Sequence, residues 1–99
     1  MSRTSLERRL GQVGERLRQL RRELEVSSEQ LAHLAEAADD ARLRSLVSET
    51  PVAEHDHRQA ERHAQAMRRH RDEVAAEIDR LEHRQDALLD QFVAESKSR

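Results

Sequence analysis

Three observations together predict an all-α fold, an antiparallel two-helix coiled-coil hairpin that dimerises into a helical bundle. The chain of 99 residues has a single proline, at its midpoint, and on both sides of it apolar residues recur at alternating steps of three and four. Its composition also withholds the residues that build strands, with no Trp, Tyr or Cys and one Phe, while Leu, Ala, Glu, Gln and Arg are abundant. Hydrophobic residues make up 35% of the chain and charged ones 38%, too little apolar material for a thick globular core. Such a composition also fits disorder, but the apolar residues are periodic, and disordered chains have no reason to be. The organisation read from the sequence is one helical hairpin over residues 1–99, with a helix over about 5–48, a turn at about 48–51 and a helix over about 51–95.

The first helix is expected to begin at Thr4-Ser5-Leu6-Glu7, which has capping-box spacing. From there Leu6, Leu10, Val13, Leu17, Leu20, Leu24, Ser27, Leu31, Leu34, Ala38 and Ala41 form a heptad seam. A stripe of two residues in seven is narrower than the buried face of an ordinary globular helix, which points to a coiled coil. Ser27-Ser28-Glu29-Gln30 repeats the capping-box spacing, so a break near Val26 is an alternative to one helix with a polar seam position. Gly11 and Gly14 lie beside the seam, where they are either tolerated surface glycines or marks of another backbone's close approach.

After Ala41 the seam loosens. Leu43, Leu46 and Val47, with Val52, form an apolar group that either packs locally to close the hairpin or serves as a contact patch. The reversal itself is set by Pro51. Thr50 is placed to cap the second helix, and proline suits the first helical position because its missing N–H would be unpaired there anyway.

In the second arm Ala60, Ala64, Met67, Arg71, Val74, Ile78, Leu81, Gln85, Leu88 and Phe92 repeat the alternation. Folding at Pro51 sets residues whose numbers add to about 101 or 102 against one another, such as Leu20 with Leu81 and Leu24 with Ile78. Charge agrees with an antiparallel arrangement. Residues 3–22 hold seven Arg against two Glu and residues 72–95 hold eight acids against two Arg, while residues 23–41 hold six acids and residues 58–71 five Arg. Exposed ion pairs are individually weak, so this pattern selects orientation more than it stabilises. The layers near the termini are Leu, Val, Ile and Phe; those near the turn are mostly Ala, Ser and polar.

Two arms touching along so narrow a stripe leave apolar residues over. Leu6, Leu10, Leu88, Leu89, Phe92 and Val93 are therefore the candidate interface for a homodimer, and Glu49, Pro51, Glu54 and Asp56 mark the turn as a second candidate site. The formal net charge of −2 weighs against direct nucleic-acid or membrane binding, and the chain has no long apolar run. The absence of cysteine leaves the compartment open, a cytoplasmic location is the default expectation, and no cofactor is expected. Among the six histidines, His55 and His57 flank Asp56, and His63 and His70 are seven apart; no pair has the spacing of four that brings two imidazoles to one metal. No phosphate loop, cysteine nucleophile or serine elbow is present, so no catalytic residue is assigned and the chain is not expected to be an enzyme.

The leading expectation is a structural or adaptor coiled coil that self-associates and binds a protein partner, of unknown identity, through helical surface. An alternative rests on resemblance. With Glu49, Glu54 and Asp56 around the turn, the hairpin resembles in shape and charge the coiled-coil fingers of the Gre and DksA classes. That likeness implies a regulator of a nucleic-acid machine, entering the RNA polymerase secondary channel through an acidic turn. A hairpin of about this length with a central turn also resembles the small secreted helical-hairpin proteins with a Trp-x-Gly turn, although Trp-x-Gly is missing here and Phe92-Val93-Ala94-Glu95 is not their Tyr-x-x-x-Asp/Glu signal.

Overall fold

The computed structural model describes residues 2–98. It is an all-α helical hairpin, α1 over Arg3–Ser48 and α2 over Pro51–Lys97, and it shows no strand among the described residues. Helix α1 is continuous through Ser27-Ser28-Glu29-Gln30, so the alternative of a break near Val26 is not realised. The seam explains why. Ser27 stands at a seam position and is buried, at 2% exposure, so a kink would uncover its neighbours.

The start of α1 differs from the expectation. Ser2, not Thr4, is the cap: its hydroxyl accepts from the Ser5 N–H at 3.2 Å, and its carbonyl accepts from the Leu6 N–H at 3.0 Å. Glu7, which the capping-box reading assigns to the helix start, pairs instead with Arg3 at 3.3 Å. The start of α2 is as the sequence predicts. Thr50 Oγ1 accepts from the Ala53 N–H at 3.2 Å and the Thr50 carbonyl from the Glu54 N–H at 3.1 Å, with Pro51 as the first helical residue.

Between the helices stand Glu49 and Thr50 alone. Glu49 ends α1 in the left-handed region, φ 49°, and its N–H reaches back to the Ser45 carbonyl at 3.0 Å. A residue with a Cβ is disfavoured there, and most helices that end this way use glycine.

By its internal packing the chain divides into two compact units. The terminal unit comprises Met1–Glu23 and Val74–Arg99; the turn unit comprises Leu24–Glu73. The core of the terminal unit is Leu6, Val13, Leu17, Leu20, Val74, Ile78 and Leu88. That of the turn unit is Ser27, Ala38, Ala41 and Ala64. Every seam residue predicted from spacing is buried or half-buried, and the stripe continues further than the sequence reading took it, through Ser45 on α1 and through Ala53 and His57 on α2.

Within the terminal unit, Arg16 meets Glu77 at 3.2 Å and Arg21 meets Glu82 at 3.6 Å. Basic α1 thus faces acidic α2, as the charge pattern predicts. Arg16 and Arg21 lie on opposite flanks of the seam, so the layers run midway between the two pairs, setting Leu20 against Ile78 and Leu17 against Leu81. This is about one helical turn from the register expected of a fold at Pro51. The cause is local: α1 runs on to Ser48, so the reversal centres on Glu49, two residues before the proline.

Candidate functional site

Among the described residues, two apolar groups remain outside the seam, one in each unit, and Val26 is exposed singly. In the terminal unit, Leu89 and Val93 are exposed by 44% and 48%. Phe92 beside them is half-buried, with the Arg3 guanidinium 5.2 Å from its ring centroid, a cation–π contact. Leu10 is also half-buried, whereas Leu6 and Leu88 lie inside the core of the unit. Of the six candidate interface residues, then, Leu89 and Val93 are open, Leu10 and Phe92 partly open, and Leu6 and Leu88 closed. Nothing lies within 4 Å of where a Cβ on Gly11 would stand, and beside Gly14 there is only Arg18 Nη1 at 3.8 Å. Among the described residues, no backbone approaches either glycine from another element.

The surface of the turn unit is larger. Leu43, Leu46, Val47 and Val52 are exposed by 60%, 62%, 86% and 71%. Packing that closes the hairpin is thus not their role. The extended seam gives the reason: with Ala41, Ser45 and Ser48 on the inner face of α1, helical geometry puts Leu43, Leu46 and Val47 on the opposite face. The same outward positions one to five turns earlier hold Glu25, Glu29, Ala32, Glu36, Asp39 and Asp40, all exposed. The outer face of α1 in this unit therefore reads acidic and then apolar toward the turn. Continuing the inward stripe through Ser45 would have revealed that face in the sequence.

The turn candidates are only partly acidic in effect. Glu54 pairs with Arg58 at 3.1 Å, and Asp56 shares a shallow hollow with Arg44, Ala41, Ala53 and Ala60. Glu49 and Pro51 are exposed. Arg71, at a seam position, is half-buried; its Nε is buried and makes no hydrogen bond, since Asp72 Oδ1 at 2.9 Å lies off the N–H line. His57 is half-buried on the seam, while the other five histidines are exposed. In the terminal unit the Asp79 carbonyl accepts a 2.7 Å hydrogen bond from His83 Nδ1 and, with the Asp79 carboxylate, raises the imidazole above its ordinary value. A hydrogen bond from Arg18, then its charge, holds Glu15 below the usual carboxylate value.

Among the described residues no group of three or more His, Cys, Asp or Glu is placed to hold a metal ion, and no helix is long and apolar enough to cross a membrane. What the geometry offers is helical surface. Comparison with known proteins gave no match to a family model, a curated protein or a solved structure.

Proposed function

We propose that this protein is a structural adaptor, an antiparallel coiled coil that self-associates through its terminal unit and binds a protein partner through helical surface. The observation that carries the reading is the exposure of Leu89 and Val93 alongside half-buried Leu10 and Phe92. Apolar side chains grouped in this way on a small chain mark a protein contact. Symmetric pairing is the commonest arrangement for such chains, and two hairpins pairing along this flank make a four-helix bundle. Gly14 supports the reading, because only the flexible end of Arg18 stands beside it, and that end can move aside for a second helix.

Regulation through an acidic turn is supported less. One of the three turn acids, Glu54, pairs with Arg58 and a second, Asp56, shares its hollow with Arg44, so the net negative field there is small.

Light scattering tests the assembly. The native chain at about 100 μM should have the mass of a dimer, and Leu89→Gln with Val93→Gln should lower it toward a monomer while helicity stays. A monomeric native chain would overturn self-association. Glu49→Gln, Glu54→Gln and Asp56→Asn together should leave partner binding unchanged; loss of it would favour the acidic-turn reading.

A further inference from the structure

We infer that the outer face of α1 in the turn unit is the docking surface for a partner's basic amphipathic helix. This rests on the adaptor reading and gives the partner its chemistry. Leu43, Leu46 and Val47 stand at the i, i+3, i+4 spacing by which one helix anchors another, and all are more than half exposed. Val52, at the start of α2, extends the patch.

Four side chains fall short of the roughly 800 Å² that each partner of a stable interface buries, so the occupant must also run over what lies next to them. Those neighbours on the same face are Asp40, Asp39 and Glu36, and farther along Glu29 and Glu25, all exposed. Between Glu25 and Asp40 α1 carries no Lys or Arg. An occupant lying along Glu36–Val47, roughly 18 Å at 1.5 Å per residue, would cover three anchors and three carboxylates. Lysine or arginine beside its apolar stripe complements that ridge. Arg42 and Arg44 stand at the two edges of the patch, Arg44 lining the hollow with Asp56, so they frame the face rather than reverse its sign.

A second copy fits less well. Pairing this face with itself in antiparallel fashion about Leu46 would carry Asp39 and Asp40 past Ser48, where the other copy's α1 ends, and leave the acidic ridge without a basic partner. The back of α2 in this unit has the right sign in Arg58, Arg62 and Arg69 but offers only Ala66 to meet the leucines.

The test uses the 99-residue chain and three fluorescent peptides of about 14 residues, with anisotropy as the readout. One is a helix with a leucine stripe flanked by lysines, the second replaces the lysines with glutamates, and the third scrambles the first so that the stripe is lost. The lysine peptide should bind at least tenfold more tightly than either of the others. Leu43→Gln with Val47→Gln should weaken it at least tenfold, and Asp39→Lys with Asp40→Lys several-fold, whereas Leu89→Gln with Val93→Gln should not change it. Because the substituted residues are exposed, helicity by circular dichroism should stay native, and the peptide comparison on the native chain holds whatever the variants do. Equal binding of the lysine and glutamate peptides, or binding indifferent to Leu43 and Val47, would overturn the inference. So would a fall in the native chain's mass on Leu43→Gln with Val47→Gln, which would assign the face to a second copy. Failure here with a dimer that still depends on Leu89 and Val93 leaves the adaptor reading in place; loss of that dimer with peptide binding intact removes self-association alone.

Discussion

The terminal unit and the turn unit share one spacing and invert its contents. In the terminal unit leucine, valine and isoleucine fill the fully buried positions, whereas in the turn unit serine and alanine do, with Leu24, Leu31, Leu34 and Met67 only half-buried on the seam and Leu43, Leu46, Val47 and Val52 outside. Spacing thus decides which positions face inward, and side-chain size decides what that burial contributes. Burying a leucine contributes about 1.5–3 kcal/mol and burying a methyl group far less, so the terminal unit supplies most of the hydrophobic stabilisation. The turn unit keeps its aliphatic surface available for contact.

The largest expected effect sharpens this comparison. Leu20→Ala removes a side chain that is 1% exposed and should cost about 2–5 kcal/mol, while Leu46→Ala, at 62% exposure, should stay within about 0.5 kcal/mol. Thermal melts followed by circular dichroism compare them; equal losses would mean that the turn unit buries its leucines after all. Next comes the polar position of the turn unit. Arg71→Leu replaces a half-buried guanidinium whose buried Nε makes no hydrogen bond and should raise stability by about 1 kcal/mol in a urea titration. A loss instead would show that the arginine is a stabilising member of the seam.

A smaller effect tests the reversal. Glu49→Gly relieves a left-handed residue at φ 49°, a strain of about 1–2 kcal/mol, part of which glycine's extra freedom in the unfolded chain offsets. A net gain of about 0.5 kcal/mol is expected from chemical denaturation, and a loss would move the centre of the turn away from Glu49. Smallest is the charge that orients the terminal unit. A double-mutant cycle on Arg16 and Glu77, with alanine at each, should give a coupling of about 0.2–1 kcal/mol that shrinks as salt is added, because both side chains are substantially exposed. No coupling at low salt would break the register drawn through that pair.

Much of the fold was legible because burial in a helical hairpin depends on periodicity, and periodicity is visible in the chain; every predicted seam position from Leu6 to Phe92 is buried or half-buried. What was not legible depends on choices between near-equivalent neighbours. Ser2 and Thr4 both offer a hydroxyl ahead of the first turn, and the choice of Ser2 goes with an Arg3–Glu7 ion pair that spacing alone does not rank. Proline marks where α2 begins but not the centre of the reversal, and that difference moved the layers by a turn. The role of the outward patch stayed open between packing and contact because the seam near the turn is made of Ser45, Ala53 and His57, which do not read as core, so Leu43, Leu46, Val47 and Val52 could as well have closed the hairpin.

Native-state hydrogen exchange tests the difference between the units most directly. Amides of α1 and α2 in the terminal unit, around Leu17, Leu20 and Ile78, should exchange only by the largest opening, while those around Ala38, Ala41 and Ala64 should exchange by smaller openings with lower protection. Equal protection along both helices, or greater protection around the alanines, would contradict the claim that the terminal unit holds the fold and the turn unit is built for contact.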